Sequence, residues 1–399
     1  MTDDSDRPPG ADAPVDASDP PAADGATDAH TPTDTSGESP AGDEPSDADD
    51  RADADDRADA DDRADTAGSP GGGPPTVSVV IPTHFRTDRL RAALDSVAAQ
   101  TYPAVETVVV DDSGERHAEA LVADSEVDAR YVAFDENRGP NAARSAGVAA
   151  TTGEYVQLLD DDDRLHPEKL ARQVAVLDAD PDVGVVYCGM EFPDGRVVLP
   201  DPEARGAVLH RALAFDLYPC QTTTMLLRRS VLSTVFPAPA RPGGDDLAYM
   251  IELARHTAFD FVADPLVVRG TGGQSGGATD VDAAGPSRGS ALGLVAGRRQ
   301  LLAEYADLYD AAPEWVRRRA LVGTFLFEGR ARLAGRAWSA GAVAAFARAA
   351  WLQRDAYTLG LCLASLAGRP GIALGSALLR VLSPDTDPPA GTYHGPKQA

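Results

Sequence analysis

Val77-Ser78-Val79-Val80-Ile81-Pro82-Thr83 reads as a short buried strand: β-branched apolar residues dominate it and a proline stops it. A helical period follows (Leu90, Ala93, Leu94, Val97), and then a second apolar run at 105–110. Residues 130–134 and 155–159 repeat the strand type, separated by a helix-like stretch at 141–150. A helix at 167–177 and a strand at 183–187 continue the alternation. β-branched runs alternating with helices predict an α/β fold, a mostly parallel sheet flanked by helices on both faces. Beyond it a hairpin is expected over 190–199, with Asp194-Gly195 as its turn. A strand is expected at 222–227, a helix at 245–256, and two short strands at 259–262 and 266–268.

The segments outside this alternation have a different texture. Residues 1–75 hold 22 acids and four arginines, with no large apolar residue beyond Met1 and Val15. The hexapeptide Asp-Asp-Arg-Ala-Asp-Ala stands at 49–54, recurs at 55–60, and nearly recurs at 61–66. Such a segment cannot bury enough apolar area to offset backbone ordering, so a disordered acidic low-complexity tail is expected. Residues 271–289 form a Gly-rich polar loop, 290–382 a helical C-terminal region, and 383–399 a Pro-rich loose tail.

Charge and cysteine content exclude several classes. Of the net charge of −27, the first 75 residues carry −18, leaving a mildly acidic remainder of 324 residues. That balance argues against a nucleic-acid partner, which needs clustered cations. Three cysteines (Cys188, Cys220, Cys362) give neither a disulfide framework nor a thiolate zinc site. No basic-then-apolar leader and no apolar run of membrane-spanning length is read, so a cytoplasmic protein is expected. Only Lys169 and Lys397 are lysine, against 34 arginines. Abundant Asp with Arg and hardly any Lys resembles the proteins of salt-loving archaea; GC-rich codon usage gives the same composition.

In open parallel sheets ligands sit at the carboxyl ends of the strands. Here those ends carry Pro82-Thr83-His84-Phe85-Arg86, then Asp111-Asp112-Ser113, then Asn137-Arg138-Gly139-Pro140-Asn141 with Arg144 one turn into a helix, and then Asp160-Asp161-Asp162-Asp163. Six carboxylates on one rim would repel one another, so a cation is expected among them. Four consecutive aspartates offer hard oxygen ligands to Mg²⁺ or Mn²⁺. Alternation along an extended chain points Asp160 and Asp162 the same way, which makes them the metal pair. The competing reading is an acidic loop whose Asp163 caps the next helix.

The ordered set 77–83, Gln100-Thr101-Tyr102-Pro103, Val108-Val109-Val110-Asp111-Asp112-Ser113, Asn137-Arg138-Gly139, Ala143-Arg144, Gly153-Glu154-Tyr155 and 159–163 resembles a family 2 glycosyltransferase of the GT-A fold, across residues 76–270. The resemblance implies an inverting transfer from a nucleotide-sugar donor to a hydroxyl, lipid-phosphate, glycan or protein acceptor. It implies donor contacts from Pro82, Thr83, His84, Arg86, Asp111, Asp112, Asn137, Gly139, Arg144, Asp160 and Asp161, and a divalent ion on Asp160 and Asp162. His84-Phe85 replaces the family's usual Tyr-Asn, and either ring can stack. The family's acid pair opens a late helix, where Asp245-Asp246 stands here, with Asp246 as the acceptor base and Asp245 its neighbour. Asp-Asp-Leu departs from the usual Glu-Asp followed by aromatics, and the family's His is absent near Thr271-Gly272-Gly273, where a lid over the donor would lie.

Two further readings stand beside this one. A non-catalytic sugar-nucleotide-binding or scaffold protein on the same fold fits the altered acid pair and lid. Arg317-Arg318-Arg319, Arg330, Arg332 and Arg336, beside apolar helix faces, suit either a peripheral contact with the inner face of the cell membrane or the solvated side of a helical bundle.

Overall fold

The computed structural model describes residues 73–270 and 291–382. The expected acidic tail, Gly-rich loop with its lid, and C-terminal tail lie outside the described residues.

The chain opens with β1 (Val77–Thr83), α1 (Thr87–Ala98), β2 (Val105–Asp111), α2 (Glu119–Ala123), β3 (Ala129–Ala133), α3 (Pro140–Ala149) and β4 (Tyr155–Leu158). It continues through β5 (Arg164–Leu165), α4 (Lys169–Ala179), β6 (Val183–Glu191), β7 (Val197–Val198), α5 (Leu209–Leu213), β8 (Leu226–Arg228), α6 (Asp245–Ala254) and β9 (Ala258–Val268). Six helices follow: α7 (Ala291–Glu304), α8 (Ala306–Ala311), α9 (Glu314–Leu333), α10 (Ala340–Gln353), α11 (Ala356–Ser365) and α12 (Gly368–Leu382). The sheet order is β3-β2-β1-β4-β8-β6-β9-β5, with β7 paired to β6. β3, β2, β1 and β4 run parallel, β8 is antiparallel to both its neighbours, and β6 and β9 are parallel. This is the mostly parallel sheet with flanking helices and a helical C-terminal region that the sequence predicted.

Alternation along β1 divides the core. Val77, Val79 and Ile81 pack under α1 and α4 with Leu90, Leu94 and Leu170, whereas Val80 faces the other layer with Val108, Val156 and Leu158. The second layer includes α6 and, from the C-terminal helices, Leu301, Tyr305, Tyr309, Val316 and Ala320. A separate small core, built on Val322, Leu326, Phe346 and Leu361, joins the end of α9 to α10 and α11. The first C-terminal helices therefore complete the sheet's own core.

Two expectations change. Thr222–Thr224 are not strand: β8 is only Leu226–Arg228, because the three threonine side chains are engaged elsewhere. The two short strands expected at 259–262 and 266–268 are one strand, β9, whose pairing with β6 shifts register near Gly189.

Candidate active site

The parallel strands β1, β2 and β4 end at one edge, and α3 and α6 bring their N-termini to it. The turn after β2 is the most tightly bound part. Asp111 is fully buried and accepts from Ser113 N (2.9 Å), Ala118 N (3.0 Å) and Tyr131 Oη (2.7 Å), with His117 Nδ1 at 3.0 Å. Burial alone would raise its pKa; these donors outweigh it and hold the carboxyl down to about 2. Asp112 accepts from Arg138 N (2.6 Å) and Gly139 N (2.8 Å), so it fixes the loop that enters α3. Gly139 adopts φ +88 there, a left-handed conformation that a side chain would strain. Both aspartates thus serve the backbone, although each oxygen of Asp112 keeps a further lone pair.

The loop after β1 lies beside this turn. Pro82 is buried within β1, paired in register with Val110. His84 Nδ1 donates to the Asp112 carbonyl at 3.0 Å, and the Asn137 amide stands 3.4 Å from His84 Nε2. Phe85 has φ +54 and is 51 % exposed, with its ring 4.7 Å from that of His84 and 5.1 Å from that of His117. A bulky residue in this conformation costs about 1–3 kcal/mol, and here it presents an aromatic face to solvent at the strand ends.

The four aspartates after β4 divide by alternation. Asp161 is buried and accepts from Thr83 Oγ1 and Arg86 Nη1, both at 2.8 Å. Asp163 is buried against Thr223 Oγ1 (2.7 Å), Gly270 N (2.9 Å) and Arg269 (3.4 Å). It caps no helix: α4 begins at Lys169 with Glu168 before it, so the capping alternative is set aside. Asp160 and Asp162 keep partly exposed carboxylates, Asp160 on Arg144 Nη2 at 2.7 Å and Asp162 at 3.7 Å from both Arg86 and Arg89. Positive charge was expected among these carboxylates, and Arg86, Arg89, Arg144 and Arg269 supply it from the chain itself.

Arg144 is buried, unlike the exposed helix residue that a surface ion pair would use, and its Nε has no hydrogen-bond partner among the described residues. A buried guanidinium N–H without a partner is costly, and a bound anion would satisfy it. Nearby, Asn141 ties α3 to α6. Its Nδ2 donates to Asp245 (2.9 Å) and to the Pro239 carbonyl (2.6 Å), and its Oδ1 accepts from Tyr249 Oη (2.7 Å). Asp246, one residue on, accepts from the hydroxyl and the backbone N–H of Thr222. Burial and then the Asp160 charge push its pKa up to about 6, against the pull of Arg144 and Arg269. Asp163 also rises to about 6, chiefly through burial, whereas Arg144 and Arg269 hold Asp160 below the usual carboxylate range against the partial desolvation of its site.

The rim therefore gathers Thr83, Arg86, Arg144, Asp160, Asp161, Asp162, Asp245 and Asp246 into one network, with His84, Asn137 and Gly139 bordering it across Asp112. Asn141 stood in the strand-end run of the sequence reading, whereas Thr222, Thr223, Tyr249 and Arg269 were not singled out by it. Their only signal was position, the threonines inside an apparent strand and Arg269 at a strand end. Beneath them Lys169 is wholly buried and donates to Gln157 and Gln173, whose amides reach the carbonyls of Thr223 and Thr224 at 2.9 Å. Among the described residues, no three His, Cys, Asp or Glu converge as a metal cluster. Asp160 and Asp162 offer two hard-oxygen donors, the number with which Mg²⁺ is commonly held when phosphates supply the remaining ligands.

Residues 78–236 match the family model described as Glycosyl transferase family 2. The succinoglycan biosynthesis protein ExoO of Rhizobium meliloti is 40% identical over 108 residues, 26% of this chain and 30% of that protein. An uncharacterized glycosyltransferase of Nostoc sp. is 32% identical over 173 residues, 40% of this chain and 53% of that protein. The chain spans from under a third to about half the length of these curated relatives. Among solved structures, the mannosyltransferase PcManGT from Pyrobaculum calidifontis, in complex with GDP-Man and Mn2+, is 21% identical, with 79% of this chain and 89% of that one covered at a TM-score of 0.48. No helix among the described residues is long and apolar enough to cross a membrane. Residues 78–236 are thus similar to the Glycosyl transferase family 2, and the Nostoc relative that matches part of the chain is named a glycosyltransferase.

Proposed function

We propose that the protein is a divalent-metal-dependent, inverting glycosyltransferase. It takes a sugar from a nucleoside-diphosphate donor and passes it to a hydroxyl or phosphate acceptor on a glycan, lipid-linked or protein substrate. The observation that carries this reading is the meeting, at one strand-end rim, of the partly exposed Asp160 and Asp162, the buried Arg144 whose Nε lacks a partner among the described residues, and Asp246 held by Thr222. There burial raises the pKa of Asp246 while Arg144 and Arg269 hold that of Asp160 low. Two carboxyls pushed apart by one environment are suited to two different roles.

A base must accept a proton near its working pH, and Asp246 meets that condition with Thr222 fixing its orientation. In the proposed step the acceptor oxygen attacks the anomeric carbon in line. The new C–O bond forms as the bond to the diphosphate oxygen breaks, its electron pair leaves with the diphosphate, and the acceptor proton passes to Asp246. One such displacement inverts the anomeric centre. Asp160 and Asp162 would hold Mg²⁺ or Mn²⁺, which when bound offsets negative charge on the departing diphosphate. The unpartnered Arg144 Nε supplies a donor for the same anion. Phe85 and His84 offer ring faces to the nucleobase, and Asp112 holds the Arg138-Gly139 backbone beside them.

The test is a panel of nucleotide sugars screened for Mn²⁺-dependent thermal shift and for release of nucleoside diphosphate in the presence of acceptors. A responding donor that is also turned over supports the reading. A donor that binds without turnover in any acceptor mixture favours the scaffold alternative, and a panel with no responder contradicts both.

A further inference from the structure

The arginines of α9 that attracted notice in the sequence are largely committed. Arg317 pairs with Asp310, Arg319 with Asp216, Arg332 with Glu328, and Arg330 donates to Tyr357. The unpartnered apolar surface lies further on. Leu359, Leu363 and Leu366 are 54 %, 59 % and 61 % exposed. Their spacing of four and then three residues puts them on one stripe of α11 and its C-terminal turn. Leu374 on α12, which packs against α11, is 74 % exposed. Trp351, at the end of the preceding helix, is 69 % exposed. Large apolar side chains concentrated in this way on an otherwise acidic protein mark a contact surface.

Local charge says what kind of contact. Residues 334–382 contain five arginines and one acid, Asp355, within a chain of net charge −27. Asp355 is occupied as the cap of α11, accepting from Thr358 N at 2.7 Å. Arg354 and Arg369, at the entries to α11 and α12, are exposed and form no ion pair among the described residues. A leucine stripe with an indole nearby and arginines at its ends has the composition of a helix that lies in a lipid–water interface. The basic surplus matches an anionic headgroup layer.

We propose that α11 and α12 dock on an anionic lipid bilayer, with Leu359, Leu363, Leu366 and Leu374 entering the headgroup boundary and Arg354 and Arg369 meeting the lipid phosphates. This placement is independent of the chemistry proposed for the strand-end site.

Co-sedimentation of the full chain with vesicles tests it, using equal parts of phosphatidylglycerol and phosphatidylcholine against pure phosphatidylcholine. The protein should pellet with the mixed vesicles, less at high salt, and bind the neutral ones weakly. The Leu363→Glu/Leu366→Glu variant should bind at least about tenfold less. Arg354→Ser/Arg369→Ser should bind mixed vesicles less and lose much of the salt dependence. All four positions are exposed, so both variants should keep the parent's melting temperature. Wild type remaining in the supernatant with mixed vesicles, or Glu variants that pellet equally, would overturn the proposal. So would a dimer in sedimentation velocity that the Glu variants dissociate while vesicles are ignored; the stripe would then be a contact between two copies.

Discussion

Two acidic turns end neighbouring regions of the same sheet, and their carboxylates behave in opposite ways. After β2, Asp111 and Asp112 spend their oxygens on backbone N–H groups of the turn and of the loop entering α3 and on the Tyr131 hydroxyl of β3, and the Asp111 carboxyl is held down to about 2. After β4, Asp160 to Asp163 face arginines, threonines and one another, and Asp163 and the nearby Asp246 titrate near 6. A carboxylate whose oxygens are taken up mainly by backbone N–H groups and a hydroxyl holds its loops in place. One held by arginine side chains beside other carboxylates can exchange partners when a ligand arrives. The chemistry of an acidic cluster is thus decided by which kinds of donor surround it.

The largest break in this comparison should come from Asp246→Asn, which keeps a polar group beside Thr222 but removes the base. Turnover should fall about 10²–10⁴-fold with the fold intact, measured as nucleoside-diphosphate release under saturating donor. Asp111→Asn should act on the other side of the contrast. Its folded pKa lies below the ordinary 3.8, so its stabilisation is present above that value and is lost as pH falls toward 2. Equilibrium urea unfolding at neutral pH should show a loss of about 2 kcal/mol. The stability difference between the variant and wild type should narrow below the ordinary 3.8 and close as pH passes below about 2.

A third prediction runs the opposite way. The folded pKa of Asp246 is raised, so its ionisation destabilises the folded chain as pH climbs from its ordinary 3.8 through about 6. The groups facing it are Asp160 and Asp245, which favour the proton, and Arg144 and Arg269, which oppose it. Asp246→Asn should therefore be more stable than wild type at pH 7, by about 1–2 kcal/mol, with the gain vanishing near pH 4. The smallest effect is kinetic: kcat/KM of wild type should rise with pH through about 6 and level off above it, as the free Asp246 loses its proton.

Much of this was legible in the chain. β1 and the second half of β2 announce themselves because a strand buried on both faces is nearly all apolar, and a polar run after such a strand marks the ligand edge. Alternation also separated Asp160 and Asp162 from Asp161 and Asp163. The division of labour between the two turns was not legible, since Asp111-Asp112 and Asp160-Asp161 look alike as letters. What distinguishes them is Ala118 N, Tyr131 and the Gly139 loop in one case and Arg144, Arg269 and Thr223 in the other, partners set by tertiary packing. Thr222-Thr223-Thr224 misled for a related reason: β-branched residues favour strands, but their hydroxyls are drawn to Asp246, Asp163 and the Pro219 carbonyl.

The most direct measurement is titration calorimetry of Mn²⁺ with nucleoside diphosphate into wild type, Asp160→Asn/Asp162→Asn, and Asp111→Asn. The account predicts metal-dependent binding in wild type, its loss in the double variant, and its retention in Asp111→Asn at a temperature where that variant is folded. Equal affinity in the double variant, or loss confined to Asp111→Asn, would contradict it.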